Sequence, residues 1–160
     1  MSDELPLTYN PEVDFEKDVY MKSIYDFFRP AIVYFIYTER WHIQALRKYG
    51  DEENIDDRPI AERVWDNPRL LETIVCNHFA HPDDIFSELN KNEFNGERVI
   101  FNNIDKLKKS EFFLAFCQII DYIEHMPNLE EMIHDVDEKA RRNSERIKNE
   151  QVMLININSH

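Results

Sequence analysis

The chain has 160 residues, enough for one domain with a substantial core, and a formal net charge of −13 at pH 7. It contains only two glycines, which favours long helices and argues against a turn-rich sandwich or barrel. The negative charge disfavours direct binding to nucleic acid, because that affinity depends on Lys and Arg at the phosphates. We therefore expect a mainly α single domain over 1–160, with a minor β element.

The sequence carries no targeting or membrane signal that we can identify. Its first residues, "MSDELPLTYN", lack the basic and apolar regions of a secretory signal. The longest strongly apolar run, "PAIVYFIY", is too short to span a bilayer. Cys76 and Cys117 make no disulfide framework and favour a reducing compartment. These features predict a cytoplasmic protein without a membrane partner.

Two helices are predicted in the first third of the chain. Apolar residues recur at close to a 3.6-residue period in "DFEKDVYMKSIYDFF", which predicts a helix over 14–28. Pro30 suits the first turn of a second helix over 30–49, and Gly50 is placed to cap its end. Because the front half of this second helix is apolar on every side, we expect it to be the central, buried element.

The middle of the chain predicts short helices and one strand. An acidic connection, "DEENIDDR", precedes predicted helices at about 58–65 and 69–77, and Pro82 then leads a turn. "NKNEFNG" has turn chemistry, and "ERVIFNN" over 97–103 is the best strand candidate. This strand would supply the minor β element.

Two further helices are predicted towards the end of the chain. Ser110 can cap a buried helix over 110–126. The last helix, over 128–150, is predicted to be amphipathic and to protrude, and "VMLININ" could add an edge strand after it. A thin apolar stripe of this kind indicates a surface helix or a coiled-coil seam, so we expect a protein partner or homo-oligomerisation there. The stripe consists of Ile133, Val136, Ala140 and Ile147.

Two Glu-x-x-His pairs have the spacing found in di-iron helical bundles. They are Glu39 with His42 and Glu131 with His134. Glu131 falls in the first turn of its predicted helix, where a carboxylate already interacts with the helix dipole. We interpret both pairs as surface pairs and not as metal ligands.

Cys76, His78 and His81 lie close together in the sequence but lack the second ligand pair of a structural zinc site. Cys76 is interpreted as a buried thiol beside two partly exposed histidines. The chain has no Gly-rich phosphate loop, no G-x-S-x-G elbow and no H-E-x-x-H motif. The sequence thus predicts no catalytic residue, metal or cofactor.

"IAERVWDNPRLLETIVCNHFAHPDDIF" followed by "GERVIF" resembles a LysM-type module over about 57–101. The form with an aromatic residue, Asn-Pro and an apolar helix is similar to the LysM-like segment in tail baseplate wedge proteins of contractile-tailed bacteriophages. That resemblance implies a protein–protein building block with a contact surface at Trp65, Asn67, Pro68 and Asn77. It also implies a second helix that ends at Asn77, a residue that tolerates the left-handed conformation expected there.

A second resemblance involves some of the same residues. "FIYTERWHIQALRKYG" followed by "DNPRLLETIVCNHF" is similar to the helical domain of phage enzymes that hypermodify thymine-derived DNA bases. In that family an Arg and an acidic residue follow, where this chain has Ala80 and His81. The charges that this resemblance implies for an active site are therefore missing here.

Together these features favour a non-catalytic structural or adaptor protein of a larger assembly. The first resemblance points to a phage tail or baseplate component, located in the host cytoplasm or the virion. Two alternatives remain open. One is an acidic inhibitor, such as a toxin-immunity or anti-defence protein that acts on a partner with a basic surface. The other is a DNA-base-hypermodification enzyme or its accessory.

Overall fold

The computed structural model describes residues 18–99 and 101–158. They form seven α-helices and one short 3₁₀ helix, which confirms the prediction of a mainly α chain. The helices are α1 (Val19–Lys48), α2 (Ile60–Asp66), α3 (Leu70–His78), α4 (Pro82–Asn92), α5 (Ile104–Lys108), α6 (Glu111–Glu124) and α7 (Leu129–Asn158), with the 3₁₀ helix at Glu52–Asn54.

Helix α1 continues through Pro30, so the prediction of two helices divided at this proline is wrong. A proline inside a helix lacks the amide for one hydrogen bond and costs about 3 kcal/mol. Burial of the residues after it outweighs this cost, since each fully buried aliphatic or aromatic side chain contributes roughly 1.5–3 kcal/mol. Residues 14–17 of the predicted first helix lie outside the described residues. The buried residues that follow the proline are Ala31, Ile32, Val33, Phe35 and Ile36.

The core lies between α1 and α6, as the sequence predicts. Phe28 on α1 meets Phe116 on α6 edge to face, with ring centroids 5.2 Å apart. The first half of α7 and helix α3 cover other sides of α1, while α2 packs against α6. The most apolar segments of the chain therefore occupy its centre.

The described residues contain no β-strand, so the expected minor β element is not shown. Val99, in the predicted strand 97–103, is instead a buried residue whose amide donates to Asn90 Oδ1 at 3.1 Å. Phe101 has a φ of 66°, which is incompatible with an extended strand. Ile100 lies outside the described residues. The alternative strand at "VMLININ" is wrong as well, since α7 extends to Asn158.

Two predicted helix ends are confirmed. Gly50 has a φ of +71°, and its amide donates to the Arg47 carbonyl while that of Asp51 donates to the Leu46 carbonyl. This is the Schellman arrangement. It favours glycine because the residue after the helix end adopts a left-handed backbone conformation, which glycine tolerates best. At the start of α6, Ser110 Oγ accepts from the Phe113 amide at 3.1 Å.

A carboxylate from α6 caps the start of α2. Pro59 precedes α2 and makes no side-chain cap hydrogen bond. Glu124 takes over this role, because its two carboxylate oxygens accept from the Ile60 and Ala61 amides, each at 2.9 Å. Negative charge at a helix N-terminus is also favourable. Glu124 therefore joins the end of α6 to the start of α2.

Replacing Glu124 with Ala should lower the free energy of unfolding by about 2–3 kcal/mol, because two amides lose a charged acceptor. Burial raises the pKa of Glu124 above its ordinary 4.5, and the two amide hydrogen bonds offset this only in part. With a raised pKa the folded state holds the proton more tightly. The wild type should therefore lose stability as the pH rises from 4.5 through the folded pKa.

Glu124→Gln does not titrate and serves as the control. Urea midpoints of both proteins between about pH 4 and about pH 8 measure the difference. The urea midpoint of the wild type should fall relative to that of the Gln variant as the pH rises. A wild type that instead gains stability relative to this variant over the same range would contradict the expected sign.

Candidate interaction surfaces

Trp65 is half-buried and joins α2 to α6. Its ring stacks on that of Phe113, with centroids 5.7 Å apart and planes 16° apart. Lys108 Nζ lies 5.6 Å from the centre of the Trp65 ring. Trp65 therefore makes contacts within its own chain, and its partial burial leaves part of the side chain open to a partner.

The other predicted module residues divide between packing and exposure. Pro68 is buried in the turn between α2 and α3, whereas Asn67 is exposed and its carbonyl accepts from the Leu70 amide at 3.0 Å. Asn77 is exposed but lies inside α3, which ends at Phe79 in an extended conformation. The left-handed end expected at Asn77 is therefore wrong, because the helix continues past it.

The first half of α7 is attached to α1 by polar contacts. Arg40 donates to both carboxylate oxygens of Glu130 at 2.9 Å, and the Tyr37 hydroxyl donates to Asp137 at 3.0 Å. Three residues of the predicted stripe, Ile133, Val136 and Ala140, are half-buried on this part of α7. Ile133 and Val136 pack against the core of their own chain.

The second half of α7 leaves the body of the protein. Residues 141–156 are all exposed, which is the exposure expected of a protruding last helix. Ile147 is 48% exposed and is the most exposed residue of the stripe. Four apolar side chains that follow it are still more exposed. The prediction of a strand at "VMLININ" did not indicate this exposure. The four side chains are Val152, Met153, Leu154 and Ile155, and we call residues 141–158 the tail.

A cleft of about 560 Å³ lies where α7 passes α1 and the end of α3. Its walls include Pro30 and Val33 from α1 and Val136 from α7, and His78 and Lys139 also line it. Partial burial lowers the pKa of His78, so this imidazole is neutral at pH 7. The cleft offers apolar surface with mixed polar groups and no arrangement that identifies a reaction.

The candidate metal ligands are not brought together. Glu39 forms an ion pair with Arg63 at 2.9 Å, and His134 lies 3.1 Å from Glu138. Glu39 does not pair with His42, and His134 does not pair with Glu131. The interpretation as two surface Glu–His pairs is therefore wrong. Across the residues that the structure describes, no three His, Cys, Asp or Glu side chains cluster as metal ligands would.

The two cysteines have opposite environments. Cys117 is completely buried in α6, and burial raises the pKa of its thiol. Cys76 is exposed, so its interpretation as a buried thiol is wrong. Helix α3 turns Leu71, Ile74 and Val75 into the core and leaves Cys76 outside.

Within 18–99 and 101–158, no helix is both long and apolar enough to cross a membrane. Comparison with known proteins gives no relative from which a role could be taken. The chain matches no protein-family model, no curated protein and no solved structure.

Proposed function

We propose that this chain is a non-catalytic adaptor of a larger protein assembly, with the tail as its contact element. The observation that supports this is the exposure of consecutive apolar side chains from Val152 to Ile155, which are 54–66% exposed. Apolar groups in such numbers on a free helix gain free energy when a partner covers them. The anchored first half of α7 would hold the tail in a fixed direction.

A phage tail or baseplate is the assembly that we propose. The support is the residue pattern of 57–101, which resembles the LysM-like segment of baseplate wedge proteins. Its described part consists of helices α2, α3 and α4 without a strand, so the support comes from the sequence pattern alone. In such an assembly the exposed Asn67 and the accessible part of Trp65 would form a second contact.

Removing residues 144–160 should abolish incorporation into the assembly while changing the free energy of unfolding by less than about 1 kcal/mol, because the described side chains removed are exposed. Coexpression with the products of neighbouring reading frames, followed by native mass spectrometry, measures incorporation and stoichiometry. Urea unfolding measures stability. Amides in the tail should exchange with solvent more slowly in the complex than in the free chain.

A second function is favoured by charge. Outside residues 141–160 the chain holds 30 acidic residues and 15 basic ones, of the 32 and 19 in the whole sequence. An acidic body of this kind suits an inhibitor of a basic target. The chain without residues 144–160 distinguishes an adaptor from an inhibitor. An inhibitor would keep its partner after loss of residues 144–160, and its association rate would fall steeply with salt.

A further inference from the structure

A groove of about 410 Å³ runs between the N-terminal half of α1 and helix α4. Phe27 at this groove is 49% exposed, although its ring stacks on Phe79 with centroids 5.3 Å apart. An aromatic side chain left half in solvent gains free energy when a partner covers it. The apolar lining consists of Ile24, Phe27, Phe28, Ile85, Leu89 and Phe112.

Three carboxylates, Asp84, Glu88 and Glu93, border this groove, and no Lys or Arg is among the described residues that line it. The Tyr20 hydroxyl donates to Glu93 at 2.6 Å and holds that carboxylate at the groove edge. Acidic groups around an apolar surface favour an occupant with the opposite arrangement. Such an occupant is apolar on one face and basic beside it.

The tail has this arrangement. Residues 141–160 carry four basic and two acidic residues, against the acidic excess of the remaining chain. Ile147 and Leu154 are seven positions apart and share one face of a helix with 3.6 residues per turn. Arg146 and Lys148 flank Ile147 on the two sides of that face. Arg146 also lies 3.9 Å from Glu150 of its own helix, in an exposed pair that contributes little and can be exchanged for a contact with the groove. Residues 141–156 are exposed, so they do not occupy the groove of their own chain.

We infer that the tail of one copy binds in the groove of a second copy. The apolar face around Ile147 and Leu154 covers Phe27, and the flanking cations lie opposite the carboxylates of α4. This inference goes beyond the proposed adaptor function, because it concerns the purified chain alone and needs no other member of an assembly.

Other occupants fit the charges less well. Residues 1–17, which precede α1, contain five acidic residues and one lysine, so they would add negative charge to an acidic groove. Two tails paired with each other would bring like net charges together, since each carries a basic excess. The groove and the tail are the pair of surfaces with opposite charge.

The contact is heterologous, since a tail meets a groove and not another tail. Such a contact closes into a dimer when both copies exchange tails, and it continues as an open chain of copies when they do not. Because its ion pairs form near the surface, association should weaken as salt is raised. The apolar part of the contact should persist at higher salt.

Charge reversal tests the inference on the purified full chain by sedimentation equilibrium. The groove variant is Asp84→Lys with Glu88→Lys, and the tail variant is Arg146→Glu with Lys148→Glu. Each alone should associate at least about tenfold more weakly than the wild type. A mixture of the two variants should recover association, because each reversed surface then meets its complement.

The control is Glu53→Lys with Glu72→Lys, which makes the same charge change on exposed residues that do not line the groove. It should leave association close to the wild-type level. Circular dichroism checks that each variant keeps its helix content. If the groove variant does not fold, the tail variant alone still tests the inference. Both substitutions of the tail variant are on exposed residues, so we expect it to fold.

Three results would overturn the inference. They are a wild type that stays monomeric at low salt, a groove variant that associates as the wild type does, and a mixture of variants that associates no better than each alone. The second result would point to pairing between tails. None of these results bears on incorporation into an assembly with other proteins, so the two proposals fail separately.

Discussion

Phe113→Ala is expected to lower the free energy of unfolding by about 3–5 kcal/mol, the range for removing a large aromatic side chain from a packed core. Phe113 has no exposed surface, and its ring lies against Trp65 at 5.7 Å. The substitution therefore leaves a cavity in α6 and withdraws the support of α2. The loss is comparable to the whole stability of a marginal domain.

Urea unfolding followed by circular dichroism measures this loss, and Tyr49→Ala is the control. Tyr49 is also aromatic but is 78% exposed, so its removal should change stability by less than about 0.5 kcal/mol. A loss for Phe113→Ala no larger than that for the control would mean that the packing of α2 against α6 is incorrect. Trp65 fluorescence should also change in the folded Phe113 variant, because its stacked neighbour is gone.

The second large effect is expected at the ion pair between Glu39 and Arg63. These side chains are only 18% and 13% exposed. Removing Glu39 by substitution with Ala leaves the guanidinium poorly solvated, and Asp56 at 3.7 Å compensates only in part. We expect a loss of about 2–4 kcal/mol, somewhat less than for a completely buried pair.

The structure offers a matched control for this pair. Arg40 and Glu130 also connect α1 to another helix, but their side chains are 42% and 75% exposed. Glu130→Ala should therefore cost less than about 1 kcal/mol. In the double variant Glu39→Met with Arg63→Met, most of the stability should return, since no unpaired charge remains. Equal losses for Glu39→Ala and Glu130→Ala would contradict the role assigned to burial.

Local signals in the sequence were sufficient to predict some features of the fold. Gly50 and Ser110 mark helix ends through bonds to residues three to five positions away, and those bonds depend little on the rest of the protein. The apolar character of 31–36 and of α6 likewise predicts burial without knowledge of the neighbours. These are the features that the sequence and the structure share.

Other features depend on distant residues and could not be predicted in this way. Pro30 signals a helix start locally, but the packing of the following residues against α6 determines that α1 continues. Glu124 caps a helix that begins 64 positions earlier in the sequence, and no local pattern marks it.

The end of α7 shows that the strand propensity of individual residues does not determine the structure of a segment. The β-branched residues in "VMLININ" favour a strand. No Gly or Pro interrupts the chain between Leu129 and Asn158, however, and no neighbouring strand is described there for it to pair with. The helix that begins at Leu129 therefore continues. The tail as a candidate contact element follows from this continuation, which the sequence alone did not predict.

The contrast between the two thiols has a practical consequence. At Cys76 the slight desolvation at the protein surface and the nearby Glu72 and Asp83 raise the pKa of the thiol, so alkylation there is slow at neutral pH and accelerates as the solution becomes alkaline. Cys117 is shielded until the core around α6 opens. A single dye can accordingly be attached at Cys76 of the native protein, and the rate at which Cys117 is modified afterwards then reports how often the interior opens.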